Sequence, residues 1–149
     1  MTSRSQDRDM ISAEKSHTNQ GIDAQQSGQW KQALRHYSAA INADPNDAFA
    51  YQLRGALNLE LKRYHDALSD FNQAILLSPY NEIGYWGKAN VFMGLQDYRW
   101  AVVQFTNAID LIPDEAEEIA DYYRDRAEAY ELLGEVALAK RDRLAASAH

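Results

Sequence analysis

The sequence predicts an all-α solenoid built from helix–turn–helix units of 34 residues. First, Pro45, Pro79 and Pro113 are spaced 34 residues apart. Second, an alanine–aromatic–alanine series precedes each proline at constant offsets. The three series are Ala33, Tyr37, Ala40; Ala67, Phe71, Ala74; and Ala101, Phe105, Ala108. Self-similarity at a fixed period of this length is typical of stacked repeats.

The second helix of each unit follows from this series. Offsets of four and three residues place Ala67, Phe71 and Ala74 on one helix face. The two small residues allow a neighbouring helix to approach closely, and the ring fills the space between them. The proline that follows ends the helix, because it lacks an N–H and restricts the residue before it. An aromatic residue opens each of these helices after a short break: Trp30, Tyr64 and Tyr98.

The first helix of each unit carries its own aromatic and small positions. Tyr51 and Gly55 occupy them in unit two, and Tyr85 and Ala89 in unit three. Unit one keeps a small residue, Gly21, but has His17 at the aromatic position. With the series above, this pattern resembles the tetratricopeptide-repeat family over roughly residues 14–147. The resemblance implies a right-handed α-solenoid of three full repeats plus a divergent fourth capping repeat, at about 14–47, 48–81, 82–115 and 120–147.

The fourth unit departs from the pattern at both ends. Its family positions hold Tyr123, Ala127, Tyr130, Gly134 and Ala139, in a register that needs four extra residues after Pro113. We expect these four residues to extend the first helix by one turn, with Asp114 as N-cap and Glu117 as its capping-box partner. The final helix has Arg143 where the ring belongs, and Lys140, Arg141 and Arg143 predict a solubilising cap.

Composition limits the function further. The chain has 149 residues, enough for one domain with a sizeable core, and we expect residues 1–12 to be disordered and 13–149 to form that domain. The absence of cysteine is compatible with a cytoplasmic location. There is neither a leader-like start nor a membrane-length apolar run. A net charge of −7 argues against nucleic acid or an anionic membrane surface as the main partner.

Nothing in the sequence indicates catalysis. The four histidines are His17, His36, His65 and His149, without metal-ligand spacing, and every glycine lies at a repeat position or a turn. Charge runs such as "EAEE" read as solvated helix faces rather than paired catalytic carboxylates. We therefore predict a non-enzymatic protein with no metal and no cofactor.

The resemblance implies that side chains of the first helices line a concave groove that binds a partner segment. The predicted groove residues are Phe49, Gln52, Leu53, Leu59, Ile83, Trp86, Asn90, Met93 and Arg124. Unit one adds Lys15, Thr18, Ile22 and Gln25, and unit four adds Asp121, Glu128 and Glu131. Large apolar side chains on such a surface usually indicate a partner, although the same residues could instead be covered core.

Three functions remain open. Family members that clamp acidic chaperone tails use basic and asparagine side chains, but the matching positions here hold Thr18, Ile22, Leu53, Ile83 and Gly87. The first function is therefore a scaffold or adaptor with another protein or peptide partner. The second is a small acidic chaperone similar to those that hold hydrophobic segments of secreted proteins. The third is self-association as a homodimer through Trp100 and Val103, where other units carry polar residues.

Overall fold

Eight α-helices account for nearly all of the described chain. The computed structural model describes residues 3–149, apart from the side chains of residues 3, 11 and 13–15. The helices are α1 Ser3–Gln26, α2 Trp30–Ala43, α3 Ala48–Glu60, α4 Tyr64–Leu77, α5 Glu82–Gly94, α6 Tyr98–Leu111, α7 Ile119–Leu132 and α8 Val136–Ser147. Each helix packs against the next one along the chain, and α3 also contacts α5. This neighbour-to-neighbour packing is that of an α-solenoid, as the sequence predicts.

The repeated alanines and rings form the contacts between helices. Ala33, Ala67 and Ala101 are fully buried, and so are the rings of Tyr37 and Phe105. Phe71 of α4 fills the space beside both Gly55 of α3 and Gly87 of α5. One ring therefore packs its own unit together and also joins it to the next unit, which explains the alanine–aromatic–alanine series.

The turn inside each unit has the same backbone in all four copies. Gly28, Lys62, Gln96 and Gly134 occupy equivalent positions, and all four have positive φ, between 59° and 82°. The amide of the following residue donates to a carbonyl five residues earlier, for example Arg63 N to Asn58 O at 2.8 Å. This is the closing hydrogen bond of a Schellman motif, for which glycine is the favoured residue. Units two and three form it without glycine.

Helix α1 extends into the segment 1–12, for which the sequence predicts disorder. Met1 and Thr2 lie outside the described residues, but α1 begins at Ser3 and continues without a break to Gln26. The side chains of residues 4–10 are exposed. This part of α1 contains neither proline nor glycine, so intrahelical hydrogen bonds can continue outward from the repeat.

The predicted extension of α7 is wrong. The four extra residues form two consecutive turns, closed by Ala116 N to Pro113 O at 3.0 Å and Ile119 N to Ala116 O at 3.2 Å. Helix α7 therefore begins at Ile119, and neither Asp114 nor Glu117 caps it. Ile119 is fully buried against α6, and this packing fixes the start of the helix.

The last helix is less polar on its outer side than a solubilising cap would be. Lys140, Arg141 and Arg143 are exposed, as expected, but so are Val136 and Leu144. At the position of Leu144, units one and three have Ser38 and Thr106, whose hydroxyls accept from arginines of the next unit. Leu144 has no such hydroxyl, and its side chain is exposed in the described structure.

Two buried ion pairs stabilise units two and four. Arg54 pairs with Asp70, and Arg126 pairs with Asp142, each at 2.7 Å and each across its own helix pair. The hydrogen bond from each arginine raises its pKa, since the carboxylate stabilises the charged guanidinium. The pair in unit four could not be read from the sequence, because Arg126 and Asp142 lie within charge runs that are typical of solvated helix faces.

Candidate functional site

The first helices of the four units lie side by side and form the groove, defined here as the surface along α1, α3, α5 and α7. Hydrogen bonds link neighbouring helices across it. Gln25 of α1 donates to Glu60 of α3 at 3.3 Å, and Trp86 of α5 donates to Asp125 of α7 at 2.8 Å. Between these contacts, Gln52 of α3 donates to Asn81, the residue that caps α5, at 3.4 Å. The groove therefore runs continuously over all four units.

A pocket opens in the groove between α1 and α3. It has a volume of about 440 Å³, within the range of ligand pockets in proteins. Its walls are mostly apolar, and Tyr37 closes the floor with its hydroxyl, which donates to Gln25 Oε1 at 2.6 Å. This cavity, called the α1–α3 pocket below, is lined by Ile22, Gln25, Gln26, Trp30, Tyr37, Leu53 and Glu60.

Glu60 is the charged residue of the α1–α3 pocket. Its side chain is exposed at the rim, and its described contact is the long hydrogen bond from Gln25. No ion pair involves Glu60 among the residues that the structure describes. An apolar cavity with one unpaired carboxylate at its mouth can bind an apolar side chain and, next to it, a positive charge.

The opposite end of the groove is closed by side chains of the protein itself. The indole of Trp86 stacks on Tyr122, with ring centroids 5.8 Å apart and an angle of 15° between the planes. The indole N–H donates to Asp125, as described above. These three residues, called the α5–α7 cluster below, lie against the buried side chains of α6 and α7. Trp86 therefore joins unit three to unit four.

Carboxylates surround the α5–α7 cluster. Burial raises the pKa of Asp125 above its ordinary value, and the neighbouring charges of Asp121 and Glu128 raise it further, whereas the Trp86 hydrogen bond and Arg124 oppose the shift. Burial also raises the pKa of Tyr122 to about 12, with a contribution from Glu82 and Glu118. Both shifts arise first from burial, and the neighbouring carboxylates add to them.

The predicted groove residues separate into three groups by burial. Phe49 and Ile83 are 50% and 40% exposed, and Arg124 is exposed and paired with Asp121 at 2.5 Å. Gln52 is buried. The half-buried residues, which partly belong to the packing between helices, are Leu53, Leu59, Trp86, Asn90 and Met93. The side chain of Lys15 lies outside the described residues.

Four residues of the α1–α3 pocket are missing from the predicted groove set, namely Gln26, Trp30, Tyr37 and Glu60. Trp30 and Tyr37 belong to α2, and both were assigned to packing within the unit because the repeat pattern explains them. Glu60 and Gln26 occupy equivalent positions at the ends of α3 and α1. The sequence signal for the pocket was therefore a polar residue at the same position near the end of both first helices, just beyond the predicted groove residues.

The predicted dimer face is open in the structure. Trp100 and Val103 of α6 are 54% and 43% exposed. The indole of Trp100 stacks on Phe92 of α5, with centroids 6.3 Å apart, so its orientation is fixed by the protein. The two side chains lie on α6, the second helix of unit three, which is not one of the helices that form the groove.

The structure brings together two histidines that the sequence analysis treated as scattered. The rings of His17 and His36 lie 6.3 Å apart. Within the described part of the chain, however, no three His, Asp or Glu side chains are grouped so as to hold a metal ion. The described helices also include none with the length and hydropathy to cross a bilayer.

The chain is similar in sequence to short regions of long curated proteins. It is 31% identical over 102 residues to the DnaJ homolog subfamily C member 7 homolog of Schizosaccharomyces pombe, covering 66% of this chain and 21% of the relative. It is 31% identical over 88 residues to Hsp70-Hsp90 organizing protein 3 of Arabidopsis thaliana, covering 59% and 16%. The chain thus spans about a fifth or less of these relatives. No family model matches it.

Solved structures superpose on most of the chain. The Arabidopsis OM64 TPR domain has a TM-score of 0.72 and 25% identity, covering 85% of this chain and 98% of that one. MamA has a TM-score of 0.80 and 18% identity, covering 96% and 83%. The first TPR of Spaghetti (RPAP3), bound to the HSP90 peptide SRMEEVD, has a TM-score of 0.71 and 20% identity, covering 85% and 94%. With the repeat pattern and the helix packing, these likenesses identify the fold, and the chain is a tetratricopeptide-repeat protein.

Proposed function

We propose that this protein is a non-enzymatic adaptor that binds a segment of a partner protein in its groove, with the α1–α3 pocket as the anchoring site. The observation that carries the proposal is the pocket itself, an open and largely apolar depression of about 440 Å³ in the surface of the groove. Apolar anchors in such cavities dominate the affinity of many protein interfaces. Co-chaperone relatives and peptide-bound structural neighbours support an interaction role of this kind.

The peptide bound to RPAP3, SRMEEVD, has three acidic residues among its last four. Binding such a tail requires basic side chains in the groove. At the positions where the sequence analysis looked for them, this chain has Thr18 buried, Ile22 and Leu53 in the pocket wall, Ile83 exposed and Gly87 against Phe71. We therefore propose a partner segment of different chemistry.

The proposal can be tested by selecting peptides from a random 12-residue display library on the full chain. The affinity of the tightest peptide is then measured by fluorescence polarisation on two variants. Gln26 is exposed at the pocket, so Gln26→Trp should fill the cavity and weaken binding by about tenfold or more. Gln73→Trp places the same ring at an exposed site on α4 and should leave the affinity unchanged.

Two results would reject the proposal. One is that no peptide is enriched above resin without protein. The other is that Gln26→Trp binds the selected peptide as tightly as the wild-type chain.

Self-association is a second candidate, favoured by the exposure of Trp100 and Val103. Replacing Trp100 by Glu and Val103 by Lys should convert a homodimer into a monomer without loss of helicity. Analytical ultracentrifugation decides the point, since a wild-type chain that is monomeric at high concentration excludes this dimer. The chaperone-like alternative and the cytoplasmic location stay predictions.

A further inference from the structure

Negative charge without a partner is distributed along the groove. Five carboxylates lie at the rim of the α1–α3 pocket or on α7: Glu60, Asp121, Asp125, Glu128 and Glu131. Two of them are neutralised by cations, because Arg124 pairs with Asp121 and Arg143 pairs with Glu131. The remaining three, Glu60, Asp125 and Glu128, have no ion pair among the side chains that the structure describes.

The arginines of α3 and α7 are already engaged. The guanidinium of Arg54 binds Asp70, and that of Arg126 binds Asp142, in both cases inside the helix pair. Arg124 and Arg143 line a cavity at the open end of α7 and α8, but each binds a groove carboxylate. The described groove therefore presents a surplus of negative charge to an incoming chain.

This surplus is combined with apolar contact sites. The α1–α3 pocket has Glu60 at its rim, and Phe49 and Ile83 lie further along the groove with exposed side chains. Among segments that could dock here, one with acidic residues would bring like charges together, which is unfavourable at an interface. A segment with basic residues beside an apolar anchor would instead pair with the free carboxylates.

We propose that the occupant of the groove is a basic, apolar-anchored peptide segment: one large apolar side chain enters the α1–α3 pocket, a Lys or Arg beside it pairs with Glu60, and a basic residue further along the segment pairs with Glu128. This inference rests on the proposed groove function and specifies the chemistry of the partner. Charge complementarity carries it, since Glu60 and Glu128 lack an ion pair among the described side chains, whereas the arginines of α3 and α7 are engaged. Basic flanks would also accelerate association with a chain of net charge −7.

The test is a competition in which two displayed peptide libraries are selected on the same 149-residue chain. Both contain a randomised apolar centre, and they differ only in flanks of two lysines or two glutamates on each side. The inference expects enrichment from the lysine library. Enrichment from the glutamate library, or equal enrichment from both, would overturn it and leave the proposed function standing. Enrichment from neither library would reject the proposed function as well.

A matched pair of variants then tests whether Glu60 is the carboxylate that pairs with the basic residues of the peptide. Glu60→Gln should weaken the selected lysine-flanked peptide by about fivefold, the upper range for one exposed ion pair. Glu135→Gln removes the same charge from an exposed residue in the turn before α8 and should have no effect. The affinity of the wild-type chain should also fall as salt rises from about 50 to 500 mM. Equal affinity of both variants, or salt independence, would contradict the assignment of Glu60.

Discussion

The two ends of the groove use equivalent repeat positions for different purposes. Between α1 and α3, the surface opens into a pocket of about 440 Å³ with Leu53 in its wall. At the position of Leu53, unit three has Gly87, against which the ring of Phe71 packs. Unit four has Asp125 at the same position, and this residue binds Trp86. One end is therefore available to a ligand, whereas the other is filled by contacts between units three and four.

The comparison shows that an apolar residue on the groove stripe is not by itself a binding residue. Trp86 is the largest side chain of the predicted groove, yet it stacks on Tyr122 and donates its N–H to Asp125. The fourth unit lacks the usual ring, because Arg143 replaces it. Trp86 supplies an aromatic contact from the preceding unit instead.

The largest expected effect is at this closed end. Trp86→Ala removes a stacked ring and a hydrogen bond, and should lower the free energy of unfolding by about 3 kcal/mol. Phe49→Ala is the matched control at an exposed site of the same stripe, and should cost about 1 kcal/mol or less. Urea unfolding of the two variants measures the difference. Equal destabilisation would remove the distinction between structural and open parts of the groove.

A smaller loss of stability is expected at Gly87. A Cβ added here would overlap the ring of Phe71, so Gly87→Ala should overpack the contact between units two and three and cost about 1–3 kcal/mol. Leu53→Ala, at the equivalent position of unit two, removes a pocket wall and should reduce peptide affinity as well as stability. If Gly87→Ala proved as stable as wild type in urea, the ring of Phe71 could not be packed against Gly87 as described.

Substitutions in the turns of units two and three should stabilise the folded protein. Lys62 and Gln96 adopt the positive φ for which units one and four use Gly28 and Gly134. Lys62→Gly and Gln96→Gly should therefore each stabilise the protein by about 0.5–1 kcal/mol, since glycine has no steric penalty there. Gly28→Ala is the reverse control and should destabilise. Thermal unfolding that ranks the variants otherwise would contradict the turn assignment.

The smallest expected effect is a change in the pH dependence of folding stability, caused by Asp125 in the α5–α7 cluster. Because the pKa of folded Asp125 is raised above its ordinary 3.8, the folded state holds this proton more tightly than the unfolded state. The contribution of Asp125 to stability is therefore greatest at low pH and falls as pH rises from about 3.8 through the raised pKa. Asp125→Asn keeps an acceptor for Trp86 and should flatten this part of the profile. An unchanged pH profile in urea titrations would show that Asp125 is not desolvated.

Much of the fold follows from the sequence because the repeat determines it. The alanines, rings and prolines specify both the period and the buried face, and the structure confirms them at Ala33, Ala67 and Ala101. The start of α7 could not be predicted, because it depends on the tertiary burial of Ile119 rather than on local capping signals. The sequence also could not predict which part of the groove is open and which is covered. Burial of Trp86 depends on Tyr122 and Asp125, which are more than thirty residues away along the chain.

The central claim is that the α1–α3 pocket binds the partner while the α5–α7 cluster holds the repeats together. Nuclear magnetic resonance titration of the ¹⁵N-labelled chain with the tightest selected peptide tests it directly. The largest chemical-shift changes should occur at Ile22, Gln26, Leu53 and Glu60, with small changes around Trp86 and Tyr122. Changes concentrated instead in α7, or on α6 around Trp100 and Val103, would contradict the claim.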